Sequence, residues 1–141
     1  MSVRTLTAGK RKQREQDAAK VREFQDVAND YAKRSIEGMR EELADEEQRE
    51  RICSEGALDV EVRDDWHAPG DADSRTPGEY KILLGTGGPA ARIIGELDEY
   101  RQPITAVFEY QDWFKPWTAA WVSEEDEKTL LEYAQQFYFG E

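Results

Sequence analysis

Cysteine and histidine are nearly missing from this chain: Cys53 and His67 stand alone among 141 residues. A single cysteine excludes an intramolecular disulfide and a cysteine zinc cluster, and a reduced compartment is the natural setting. Long hydrophobic runs are also missing. No apolar stretch approaches the ~20 residues that cross a bilayer. The start, Met1-Ser-Val-Arg-Thr-Leu-Thr7, lacks the apolar segment of a secretory signal, so a cytoplasmic location is expected. Cations are scarce: 19 Lys and Arg face 31 Asp and Glu, for a net charge of −12. Proteins that grip nucleic acid neutralise phosphates with clustered Lys and Arg. This composition disfavours direct nucleic-acid binding and selects a basic partner or groove.

The few cations are unevenly spread. Arg4, Lys10, Arg11, Lys12 and Arg14 give residues 1–14 a charge of +5 with no acid, leaving −17 on the rest. Such a stretch reads as a solvated, flexible tail. Residues 15–55 read as a helical region and residues 56–141 as the core domain. No proline falls between Met1 and Gly56. Val21, Phe24, Ala28, Tyr31, Met39 and Leu43 recur at three-four spacing, one face of a helix running over 9–52. Gly38 is its weak point, costing about 1 kcal/mol against alanine, and marks a kink or a break into a helical hairpin. Residues 37–50 carry seven acids and two arginines, a solvated helix face. Gly56 is placed to end the helix as a left-handed cap.

The pattern then changes period. Leu58-Asp-Val-Glu-Val62 alternates as a half-buried strand. Residues 64–79, with two Pro-Gly pairs and four aspartates, form a long loop. Tyr80–Leu84, Ala91–Leu97 and Ile104–Tyr110 are three further strands, and Trp117–Val122 is an edge strand or an irregular stretch. Ser123 and the acids at 124–127 open a last helix, with Leu130, Leu131, Ala134, Phe137 and Tyr138 as its buried stripe. The expected fold is α+β: an N-terminal helix or helical hairpin, a small antiparallel meander of three to five strands, and a C-terminal helix packed on the sheet.

Chemical signatures are weak. Gly85-Thr-Gly87-Gly-Pro-Ala90 fits a dinucleotide fingerprint literally, but Ile93 and Ile94 favour a strand after it, where the fingerprint needs a helix. Asp64, Asp65, Asp71, Asp73 and Glu79 are oxygen ligands in number but not in EF-hand spacing, so a solvated loop is the simpler reading and a metal-dependent enzyme the remote one. Nothing local joins Cys53 to His67 as a nucleophile pair. No cofactor, metal site or catalytic residue is expected, and the chain is read as a binding protein, not an enzyme.

The strongest binding signal is aromatic. Residues 108–121 hold Phe108, Tyr110, Trp113, Phe114, Trp117 and Trp121. Aromatic side chains supply core energy and interface hot spots alike. About half of the run is expected in the core, with Trp113, Phe114 and Trp117 partly exposed around the Lys115-Pro116 corner.

The motifs Thr86-Gly-Gly-Pro-Ala90, Tyr110-Gln-Asp-Trp-Phe-Lys-Pro-Trp117 and Gln136-Phe-Tyr-Phe-Gly-Glu141 resemble a family of small uncharacterised phage and prophage proteins. The resemblance covers the second half of the chain and implies an accessory phage protein acting in the cytoplasm of a bacterial host, where such acidic proteins often inhibit defence systems, in the manner of an anti-CRISPR. The expected function is a nucleic-acid mimic: Glu41, Glu42, Glu46, Glu47, Asp64 and Asp65 would dock on the basic nucleic-acid-binding surface of a host complex, with Trp113, Phe114 and Trp117 adding specificity. The alternative is a homo-oligomeric phage assembly protein, a homodimer with Val21, Phe24, Tyr31, Met39 and Leu43 as its seam.

Overall fold

A computed structural model describes residues 7–70, 77–87, 89–113 and 115–140. Helix α1 spans Ala8–Ala44, and α2 spans Glu46–Glu55. Strands β1 (Asp59–Asp64), β2 (Pro77–Gly85), β3 (Ala90–Glu96), β4 (Val107–Gln111) and β5 (Thr118–Ala119) follow, and α3 spans Glu124–Ala134. The five strands pair antiparallel in chain order, a pure meander. The chain is α+β as its pattern implied.

Helix α1 starts where Thr7 Oγ1 accepts a hydrogen bond from the Lys10 amide. The basic residues Lys10, Arg11, Lys12 and Arg14 therefore lie on its first turns, and residues 7–23 are exposed throughout. The helix runs through Gly38 without interruption. It ends instead at Asp45, whose backbone is extended and whose carboxylate accepts from the amides of Glu47 and Gln48 to cap α2. A capping aspartate offers the backbone a competing set of bonds, and that ends a helix more surely than a tolerated glycine. Gly56 is likewise not a left-handed cap. It has right-handed helical dihedrals, and a Cβ there would stand 2.6 Å from both the Ile52 carbonyl and the Tyr133 hydroxyl. Close packing, not a positive φ, explains this glycine.

The helices cover one face of the sheet. Tyr80, Ile82, Ala91, Ile93 and Phe108 rise from it into a core closed by Ala32, Ile36, Met39 and Ile52 from the first two helices and by Leu130, Tyr133 and Ala134 from α3. Tyr31 stacks on Tyr110 at 5.1 Å between ring centres, and Phe24 at 5.8 Å. The α1 stripe is thus spent on the chain's own sheet. Met39 and Ala28 are buried, Phe24, Tyr31 and Leu43 are half-buried, and Val21 alone of the expected homodimer seam is exposed. Beyond Ala134 the chain leaves the helix, which shifts the expected stripe: Tyr138 points to solvent, while Phe139 packs on Tyr80 at 5.0 Å.

Burial holds Tyr133 neutral, its pKa pushed up to about 12, with the Glu42 carboxylate adding to the effect. Burial alone pushes Tyr80 up. An unfolded tyrosine ionises near 10, so the neutral core tyrosines contribute stability that is complete below that pH and lost as pH rises through the folded values. Unfolding between about pH 10 and 12 is the expected outcome, followed by circular dichroism. Tyr133→Phe should flatten that alkaline limb; an unaltered limb would contradict the assignment.

Candidate partner-binding surfaces

The acidic residues singled out above separate into two places. Glu41 is exposed near the end of α1, and Glu46 and Glu47 are exposed in the first turn of α2. Glu42 is only half-exposed, close enough to raise the Tyr133 pKa, and serves the fold. Asp64 closes β1, a strand that carries it about 17 Å from Asp59 at the α2 end. Asp65 lays its carboxylate over Gly78, where a side chain would collide with it. The helical acids and the loop acids therefore do not form one patch.

A different set joins the helical acids. Arg40 on α1 donates to Asp126 at 2.8 Å and Thr129 at 3.1 Å on α3. Its pKa is raised first by the hydrogen bond with Asp126, against the cost of burial, and then by the charges of Asp126, Glu125 and Glu37. Arg49 on α2 reaches Glu132 at 3.8 Å, and Arg51 pairs with Glu47 at 2.7 Å. The three arginines of the region are thus engaged within the fold. Among the described residues Glu37, Glu41, Glu46, Glu50, Glu124 and Glu125 have no cation within ion-pair distance. Unpaired carboxylates therefore remain on α1, α2 and α3, an acidic set in which Glu37 and Glu125 both act on Arg40. The α3 half of it was overlooked in the sequence, because Glu124–Glu127 read as helix-start residues, which they also are.

The aromatic run divides as the chain turns from β4 to β5. Phe108 and Tyr110 enter the core. Trp113 is 64% exposed and Trp121 72%. Phe114 lies outside the described residues. Trp117 is half-buried, with the Arg92 guanidinium 4.0 Å over its ring, and Arg92 is held there by Glu109 at 2.6 Å. These aromatics sit at the β5 edge, while Asp64 and Asp65 lie at the β1 edge.

The uncovered face of the sheet is a surface that sequence reasoning missed. It forms an open concavity of about 590 Å³, lined among others by Glu61, Arg63, Lys81, Arg92, Ile94 and Val107. Cross-strand pairs Arg63–Glu79, Glu61–Lys81 and Arg92–Glu109 run over it. Alternation hinted at which residues face outward, but their pairing depends on register. Cys53 is exposed on α2 and His67 is exposed after β1, each on its own element. Among the described residues no three His, Cys, Asp or Glu side chains converge as a metal site, and Asp71 and Asp73 fall outside those residues. The glycine-rich segment joins antiparallel β2 and β3, with Gly87 at φ +96°, so no helix follows it to hold a phosphate. No described helix is long and apolar enough to cross a membrane.

No family model, curated protein or solved structure matches the chain.

Proposed function

We propose that this chain is a binding protein that lays its acidic helical face on a basic, nucleic-acid-gripping surface of another protein and so blocks that surface. The observation that carries this reading is the set of unpaired carboxylates on α1, α2 and α3, whose neighbouring arginines are taken up by Asp126, Glu132 and Glu47. A cluster of unpaired carboxylates raises the local negative potential and attracts cationic clefts, which steers association and rewards a matching patch. Exposed Trp113, a side chain suited to interface anchoring, adds apolar contact at a second point. In the setting implied by the phage-like motifs, the partner is a host defence complex inside a bacterial cell, and the protein binds that complex and not DNA or RNA.

The test is affinity capture from a bacterial lysate, washed at low and high salt, followed by competition with nucleic acid for the captured partner. The expected result is a nucleic-acid-handling complex that is released at high salt and no longer binds its nucleic acid when the protein is present. A partner that keeps its nucleic acid while holding the protein would overturn the reading.

A further inference from the structure

Strand β1 forms one edge of the sheet, so its outward amides and carbonyls meet no other strand among the described residues. Its helix-side face is covered only in part: Val60 packs half-buried against the core, and its neighbours on that face stay open. Leu58 is 63% exposed, Val62 44%, and Trp66, which continues the same alternation beyond the strand, is fully exposed. The alternation Leu58-Asp-Val-Glu-Val62 reads as half-buried; of its three apolar residues only Val60 reaches the core, and Leu58 and Val62 stay open at the sheet edge. On the opposite face, Glu61 and Arg63 alternate in charge and bridge to Lys81 and Glu79. Exposed apolar edges pair with other strands unless something blocks them.

The sequence of β1 matches itself. An edge strand turns its free backbone groups outward at alternate residues only, so two antiparallel copies related by a two-fold axis must centre on a residue, not between two. Four centres in the strand can be compared. Centring on Val60 sets Leu58 opposite Val62 but opposes Asp59 to Glu61 twice, acid against acid. Centring on Glu61 sets that carboxylate against its own copy and puts Leu58 opposite Asp64, although it pairs Asp59 with Arg63. Centring on Arg63 opposes two arginines and sets Glu61 against Asp65. Centring on Val62 sets each Glu61 opposite the Arg63 of the second copy. It also sets each Leu58 opposite Trp66, and Val62 opposite itself. Only that register covers Leu58, Val62 and Trp66 together and continues the charge ladder from Lys81 through Glu61 and Arg63 to Glu79 of the second copy, while setting the half-buried Val60 opposite Asp64. Its one like-charge meeting, Asp59 with Asp65, falls at the ends of the paired stretch.

We propose that the protein forms a two-fold dimer in which the β1 edges pair antiparallel around Val62 and join two sheets into one. This surface is separate from the acidic helical face, so the dimer stands or falls independently of the partner proposed above.

The test is sedimentation equilibrium of the full chain and of two variants, Glu61→Arg and Arg63→Glu. The wild type is expected to dimerise. Each variant alone places like charges opposite each other twice, and should weaken the dimer on the order of tenfold or more. Mixing the two variants brings opposite charges together again and should restore a mixed dimer, an outcome that a misfolded variant could not give. Dimerisation should also shift tryptophan emission to the blue, and Trp66→Phe should remove most of that shift. A wild type that stays monomeric at every concentration overturns the proposal, including one that pairs β1 with an added extended peptide instead. A dimer that neither charge reversal weakens also overturns it.

Discussion

Gly95→Ala is expected to destabilise the fold by about 3 kcal/mol or more, since overpacking against backbone leaves little room for relief. Gly95 lies in β3 directly opposite Tyr80 of β2. The Tyr80 ring crosses over this glycine so that its hydroxyl donates to the Thr105 carbonyl at 2.6 Å. A Cβ on residue 95 would press into the Thr105 carbonyl and stand 2.8 Å from Tyr80 Cε1. Neither neighbour can retreat. Thr105 Oγ1 accepts from the Glu96 amide at 2.8 Å, and the Ile104 amide donates to the Glu96 carbonyl at 2.9 Å, which pins the segment against β3. Tyr80 is itself buried in the core. Gly38→Ala is the matching control. It sits inside α1 near its C-terminal end, with no atom outside its own stretch of helix within 4 Å of the new methyl, and should stabilise by about 0.5–1 kcal/mol. Urea denaturation of both variants checks the pair. Equal stability of Gly95→Ala and the wild type would show that the crossing of Tyr80 over Gly95 is not tight.

The contrast between these two glycines also shows what could be read from the sequence and what could not. Periodicity is local, and local signals placed the elements well: the meander, the Ser123 cap of α3 and the amphipathic stretch of α1 all follow from spacing and cap chemistry. The break at Asp45 is legible in its chemistry, since an aspartate followed by two glutamates is a helix start, whereas a helix can run through a single glycine such as Gly38. Sheet edges are not local. The alternation in Leu58–Val62 looks the same whether the core takes the whole strand or only Val60, so the exposure of Val62 and Trp66 had to come from the structure. The acidic surface shows the same limit. Glu41 and Glu46 stand out through a dense run of charge, yet the run cannot show that α3 brings Glu125 and Asp126 to Arg40, or that Arg49 and Arg51 are already engaged. Asp64 and Asp65 were grouped with the helical acids by charge alone, and a strand's length separates them.

Replacing Glu37, Glu41, Glu46 and Glu50 together with lysine is expected to lower affinity for a basic partner about a hundredfold or more, because like charges brought face to face cost several kcal/mol. None of the four is used in an ion pair among the described residues, so the isolated protein should lose only about 1 kcal/mol or less per site, with Glu37 beside Arg40 and Glu46 in the first turn of α2 the larger shares. That separation makes the test specific. Asp126→Asn, by contrast, removes the partner of Arg40 at the α1–α3 contact and is expected to lower stability along with binding. Titration calorimetry at several salt concentrations adds a second readout. The wild type should lose affinity steeply with salt, since exposed charges are screened over about 10 Å at 0.1 M, and the quadruple variant should show a much flatter dependence. A parallel reversal of Asp64 and Asp65 tells the two acidic regions apart. If the helical face is the docking surface, that pair of changes leaves affinity within a few-fold of the wild type, because the two carboxylates lie at the far end of β1 and Asp65 is turned onto Gly78. Should the helical reversal leave affinity unchanged while Trp113→Ala abolishes it, the acidic face is a solvated surface and the aromatic turn between β4 and β5 is the docking site.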